Sequence, residues 1–516
     1  MTETRPLVAG RLLVGGCPEG FDARYLAGIV ARARGPVVHV ARDDARMAAM
    51  RASLRFFAPE LPVLAFPAWD CLPYDRISPN GDIAARRMAT LAALADGFGR
   101  PAVVLTSVNA ATQRVPSRAV LAQASFTAEV GGRVDVAALR GYLGRMGYGQ
   151  APTVTEAGEF AVRGGIVDIW PPGAKAPVRL DLFGDALETA RRFDPETQRT
   201  TEPVKRVELA PVSEVILDDA SIQRFRTRYR AAFGAAGHDD PLYEAVSAGR
   251  RHQGCEHWLP FFHERLDTLL DYLPGAPVLL DDQVGTARAA RWAALSEQYE
   301  ARAAALAAKS KLGTVYKPVP PPDLYLDDAA WDAAVAGRPL HQLSVLPQPL
   351  GPGVIDAGGR IGRDFAPERQ QEQVSLFGAL AAHVAARRKA GDVLVASYSA
   401  GARERLGGLL ADSGITDARE IARAADLRGD NGLALAVWPL EHGFEAPGLT
   451  VVSEQDVLGD RLIRAPRRRR RAENFLTEAA GLTPGDLVVH VDHGICRYRG
   501  LETITAMAFS WSSVSA

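Results

Sequence analysis

The segment "LLVGGCPEGFDARYLAGIV", residues 12–30, has the outline of a phosphate-binding turn: an apolar strand, Gly15 and Gly16, then Gly20 ahead of a helix. A working loop of that kind needs glycine N–H groups around the phosphates, a lysine for the β- and γ-phosphates, and a Ser or Thr for magnesium. Here Gly20 is followed by Phe21 and Asp22, and no Gly-Lys-Ser/Thr occurs in the chain. An acidic side chain at that place repels phosphate. The expectation is a degenerate loop with no catalytic residue; nucleotide hydrolysis through an unusual Gly15–Gly20 loop is the alternative. "VVSEQDVLGD", residues 451–460, puts carboxylates after an apolar strand, where a magnesium-binding acid pair could sit. Without a phosphate lysine it reads as a strand end. His252, Cys255, His257 and His263 crowd one segment, but His-x2-Cys-x-His does not match paired zinc-ligand sets, so no metal is expected. No Gly-x-Ser-x-Gly elbow is present. Five consecutive arginines, Arg467, Arg468, Arg469, Arg470 and Arg471, could touch a nucleic-acid backbone or form a solvated linker.

The elements that must carry these residues alternate between strand and helix. The chain has 516 residues, 47% hydrophobic and 23% charged, which suits several packed domains and argues against global disorder. Its formal net charge of −1 gives no general pull toward nucleic acid. The four cysteines are far apart, no run of about 18 apolar residues occurs, and the first residues lack a signal-like apolar stretch. A soluble cytoplasmic protein with no membrane contact is expected. Residues 1–122 read as a βαβα unit with a parallel sheet. Within it, "NGDIAARRMATLAALA" is a helix with Asp82 as its expected N-cap. Residues 123–208 read as a small, mostly antiparallel insert, and 209–335 return to helical signals with the strand "PVLLDD". Residues 350–456 form a second α/β unit, with a long helix over about 367–389. Residues 457–481 are an Arg-rich linker, and 482–516 start a further β unit.

The insert holds the least ordinary surface. In "EFAVRGGIVDIWPPG", Arg163 and the pair Gly164-Gly165 interrupt strand formers, which marks a bulge or a close backbone approach. In "VRLDLF", alternation puts Val178, Leu180 and Leu182 on a core face and Arg179, Asp181 and Phe183 on the other. An arginine beside an exposed aromatic is a common anchor of protein interfaces. The bland alternative is an Arg179–Asp181 surface pair with Phe183 tucked under a loop.

"EAGEFAVRGGIVDIWPPG" with "PVRLDLFGDALETARRFDPETQRT" resembles the insert domain shared by the excision-repair subunit UvrB and the bacterial transcription-repair coupling factors. "FPAWDCLPYDRISPNGDIAARRMATL", "GCEHWLPFF", "WPLEHGFEAPGLTVVSEQDVLGDR" and "GDLVVHVDHGICRYRGLETI" resemble the coupling factors in particular, over about residues 10–505. The resemblance implies a UvrB-like module with a degenerate phosphate loop, a second α/β domain and the start of a CarD-like, β-barrel RNA-polymerase-interacting domain. It implies recruitment of UvrA in transcription-coupled nucleotide excision repair, through Arg163, Arg179 and Phe183. In the family, ATP and magnesium serve translocase domains that follow; here no cofactor is expected. The final "AMAFSWSSVSA" does not resemble the family's next strands. A truncated chain is therefore expected, with RNA polymerase a doubtful partner, DNA contact weak or absent, and the UvrA surface left unmasked by any regulatory domain. An inert truncation product is the remaining alternative.

Overall fold

The computed structural model describes residues 10–234, 240–308, 316–371 and 373–459, and beyond them the backbone of the strands Leu487–His490, Gly494–Arg497, Gly500–Ala506 and Phe509–Ser515. The arginines of the expected linker, Arg467, Arg468, Arg469, Arg470 and Arg471, all lie outside the described residues. Residues up to 459 form one compact unit and the rest a second.

Seven parallel strands make the first sheet, in the order Val354–Asp356, Gly10–Gly15, Pro339–Leu343, Val278–Leu280, Pro36–Ala41, Ala102–Ser107, Val63–Phe66. A parallel sheet is covered on both faces, which is why "VVHVA" and "AVVLTS" are almost continuously apolar. Helices Phe21–Val30 and Asp44–Phe57 cover one face; Gly81–Ala95 covers the other through Met88, Leu91, Leu94 and Ala95. Asp43 caps the second of these helices, its carboxylate accepting from the Arg46 N–H at 2.7 Å. For Gly81–Ala95 the cap is Asn80, not Asp82: Asn80 Oδ1 accepts from the Asp82 N–H, and Asp82 instead sits in the first turn and pairs with Arg86. There its charge also favours the helix dipole.

The strand Val354–Asp356 extends this first sheet by pairing with Leu13–Gly15, so the residues just after 350 do not open the second α/β unit as expected. That unit's sheet runs Arg360–Ile361, Phe444–Ala446, Leu449–Ser453, Asp392–Ser397, Leu433–Val437, Arg419–Ile421, with every pairing parallel except the first two. The single helix expected over 367–389 is two, Ala366–Arg369 and Leu376–Arg387. Ser375 causes the new start: its side chain accepts from the Gly378 N–H and caps a fresh N-terminus. The two α/β units share a core, in which Trp438 stacks on Phe56 with centroids 4.7 Å apart and donates its indole N–H to Ser53.

The insert grows from an antiparallel pair, Phe126–Glu129 with Arg206–Leu209. Its sheet runs Thr200–Pro203, Ala186–Phe193, Val178–Phe183, Ile166–Ile169, Glu159–Arg163, Gly149–Gln150, and only the last pairing is parallel. Helix Val136–Met146 packs Leu139, Tyr142, Leu143 and Met146 against Val167, Ile169, Val178, Leu180 and Leu182. In the second unit, Leu487–His490 pairs with Gly494–Arg497 and Gly500–Ala506 with Phe509–Ser515, both antiparallel. Among the described residues these are separate two-stranded sheets, without barrel closure.

Candidate protein-binding face of the insert

Gly164 and Gly165 are neither a bulge nor a strand interior. They are the two-residue turn of a hairpin in which Arg163 pairs with Ile166. Gly164 has φ +62°, the left-handed value required at the first central position of a tight hairpin turn. Gly165 lies so close to the Leu182 carbonyl that a Cβ would overlap it, and its own carbonyl accepts from the Leu182 N–H at 2.8 Å. The turn is thus docked on the neighbouring strand. A second two-residue turn, Gly184-Asp185, closes the pair of Phe183 with Ala186. Both tips lie at one end of the sheet, because Ile166 is paired with Asp181.

Alternation then sets the faces. Val178, Leu180 and Leu182 are buried against the helix, and Arg179, Asp181 and Phe183 point away from it. Phe183 is 78% exposed, not tucked under a loop. Arg179 does not pair with Asp181. Its Nε and Nη2 donate to the two oxygens of Asp168, at 2.7 and 2.9 Å, and its Nη1 to the Gln198 carbonyl at 3.3 Å. Its guanidinium also lies over the Phe193 ring, 4.8 Å from the centroid. Arg163 Nη2 donates to Asp168 Oδ2 at 2.6 Å. The hydrogen bond to Asp168 raises the Arg179 pKa further above its ordinary value. Phe193 joins Val154, Ala161 and Trp170 in a small apolar cluster on this outer face.

The structure therefore brings Arg163 and Arg179 together on one carboxylate, and sets Phe183 at the same sheet end. Asp168, Phe193 and Gln198 have no place in the expectations from sequence. Asp168 was partly within reach: with Gly164-Gly165 as a turn, hairpin register sets it opposite Ala161, but its place beside Arg179 depends on the register of the next strand pair.

The phosphate-loop residues are arranged differently. The Gly20 N–H donates to Asp22 Oδ1 at 3.0 Å, and buried Asp22 is ion-paired with Arg46. Arg46 also faces Asp281 at 3.3 Å and Glu19 at 3.5 Å, and Arg42 pairs with Glu19 at 2.6 Å. An internal carboxylate thus meets the turn where a phosphate would. A Cβ on Gly15 would lie 2.6 Å from the Gln348 nitrogen, on Gly16 2.6 Å from Arg360 Nη1, and on Gly20 2.8 Å from Leu440 Cδ1. The three glycines make room for protein.

The four His and Cys side chains do not converge. His257 Nε2 faces the Ile77 carbonyl, His263 Nε2 the Glu214 carbonyl, and His252 Nδ1 the Gln253 carbonyl; Cys255 is buried. Among the described residues no group of three or more His, Cys, Asp or Glu is disposed to hold a metal ion, and no helix is long and apolar enough to cross a membrane. Glu454 and Asp456 of the "VVSEQD" segment are buried, and Asp456 accepts from the backbone N–H groups of Gly443 and Ser453.

Three family models match the chain: the UvrB interaction domain over residues 126–214, the MFD D3 domain over 386–457, and the CarD-like/TRCF RID domain over 482–510. The transcription-repair-coupling factor of Escherichia coli K12 is 32% identical over 98% of this chain and 43% of its own length. That of Myxococcus xanthus is 32% identical over 91% of this chain and 40% of its own. That of Bacillus subtilis is 24% identical over 95% of this chain and 43% of its own. The chain thus spans about two fifths of the length of these curated relatives.

Proposed function

From a chain that resembles the transcription-repair coupling factors over nearly its whole length, we propose a binding module that recruits UvrA to sites of transcription-coupled repair. The outward face of the insert is the contact, built around Arg163, Arg179 and Phe183. One observation carries this reading: a domain matched by the UvrB interaction model presents an almost uncovered phenylalanine on the same sheet face as an arginine pair. Exposed aromatics with arginine are typical hot spots. The match to the CarD-like/TRCF RID domain over 482–510 supports RNA polymerase as a second partner, which the sequence reading had placed in doubt. The Gly15–Gly20 loop, filled by Asp22, is assigned no nucleotide and no catalytic role.

Calorimetric titration of the purified chain with UvrA tests the reading. Wild type should bind, and Phe183→Ala should weaken binding by about thirtyfold or more, on the order of 2 kcal/mol or above. Arg163→Ala should also weaken it, and the loss should shrink at high salt as screening takes over. A folded wild type that does not bind UvrA would overturn the assignment.

A further inference from the structure

Resting on the insert face as the UvrA contact, we propose that Asp168 is a positioning residue that divides the work of the two arginines. Arg179 is held as a fixed strut, and Arg163 is the guanidinium that meets a carboxylate of the partner.

The donor inventory supports this division. Asp168 has no exposed side-chain surface, so a partner cannot reach it. Its oxygens take three N–H bonds, two from Arg179 and one from Arg163. All three nitrogens of Arg179 are engaged, its plane rests on Phe193, and its side chain is 22% exposed. Arg163 is held by Nη2 alone and is 51% exposed. A guanidinium offers five N–H donors in a planar fork. One edge of the Arg163 fork is anchored, and the other is open to water. Anchoring reduces the side-chain entropy lost when a partner binds.

The charge balance points the same way. Asp168 neutralises one of the two arginines and leaves one positive charge, on the more exposed of them. Asp181 shares the strand face, but makes no ion pair with either arginine among the described residues. Beside Arg163 on the paired strand is Ile166, 36% exposed, and Phe183 stands at the same sheet end. A matching partner surface has a carboxylate next to an apolar recess.

The test is a double-mutant cycle read by UvrA affinity at low and at physiological salt. Asp168→Asn keeps the side-chain shape and removes the charge. It should weaken UvrA binding by about tenfold in the wild-type background, but by no more than about twofold when added to Arg163→Ala, because its effect passes through Arg163. Added to Phe183→Ala, its loss should multiply in full. A merely structural role gives multiplication in both backgrounds, and that result overturns the proposal. So does an Asp168→Asn affinity within twofold of wild type while Phe183→Ala abolishes binding, an outcome that leaves the UvrA face itself standing. Absence of wild-type binding removes the face and this assignment together. If Asp168→Asn does not fold, Arg179→Lys replaces it: about tenfold alone and at most about twofold beside Arg163→Ala, with multiplicative losses again overturning the proposal.

Discussion

Phe183 leaves a large apolar ring in water at the end of a well-packed strand. Burying such a ring is worth about 1.5–3 kcal/mol, and folding of this chain does not use it. Phe183→Ala should therefore change the denaturation midpoint by no more than the equivalent of about 0.5 kcal/mol, while UvrA affinity falls. A large loss of stability would show that the ring packs against its own chain. His257 behaves in the opposite way. Burial holds its pKa down to about 4, against an ordinary value near 6.5, so the folded protein keeps it neutral. Between those values the unfolded chain binds more protons, so stability rises with pH. The contribution is complete above about pH 6.5 and is lost as pH falls through about 4, up to about 3 kcal/mol in all. His341 and His383, each also lowered to about 4 by burial, act in the same direction. Urea midpoints measured from pH 7.5 to 4.5 should fall, and His257→Asn should flatten the slope.

At the scale of elements, the hairpin turn decides whether the arginines meet. Gly165→Ala places a methyl group against the Leu182 carbonyl and should destabilise by about 1–3 kcal/mol, as overpacking does. Gly164→Ala meets open space and should cost about 1 kcal/mol, from positive φ alone. Urea denaturation of both variants checks the order. The faces of Val178–Phe183 were legible in the sequence because apolar and polar residues alternate from Val178 to Leu182, and Phe183 stands out as the apolar residue on the polar face. The turn was not, because a double glycine also suits a bulge, and only the partner strand distinguishes the two; the close backbone approach expected there is the one Gly165 makes to Leu182. The bond from Asp168 to Arg179 crosses between hairpins and depends on register, which no local pattern encodes. The same limit applies to Pro339–Leu343 and Val354–Asp356, whose places in the first sheet depend on distant neighbours.

Across the molecule, the segment that follows the insert stem is tied to the first α/β unit by a buried ion pair. Arg87 Nε meets Glu214 Oε1 at 2.5 Å, Trp69 donates to the same oxygen at 3.0 Å, and Arg87 lies over Phe66 at 4.1 Å. Gly173 adds a close approach: a Cβ there would lie 2.7 Å from that of Ala89. Removing one member of a buried pair strands the other charge, so Arg87→Ala should destabilise by about 3–5 kcal/mol. Thermal unfolding measures this, and an apolar replacement of both partners should recover much of the loss. The phosphate loop yields a quieter expectation. A ligand that binds only the folded state raises the melting temperature. With Asp22 occupying the turn, magnesium-ATP should leave the melting temperature unchanged, and a dose-dependent rise would restore the hydrolytic reading. That the loop lacks its lysine was plain from the sequence; that Asp22 and the second α/β unit fill it depends on packing between residues more than 400 positions apart, such as Gly20 and Leu440.

The stem of the insert has a further consequence. Because Phe126–Glu129 and Arg206–Leu209 lie side by side and antiparallel, the chain leaves its parent fold and returns at nearly the same point. Everything between is one continuous excursion, packed on its parent through Ala85 and Ala89. Such a segment can be gained, lost or exchanged by a single recombination at one locus, with the host sheet left in register. A recruiting surface built this way can travel between otherwise unrelated chains as a heritable cassette.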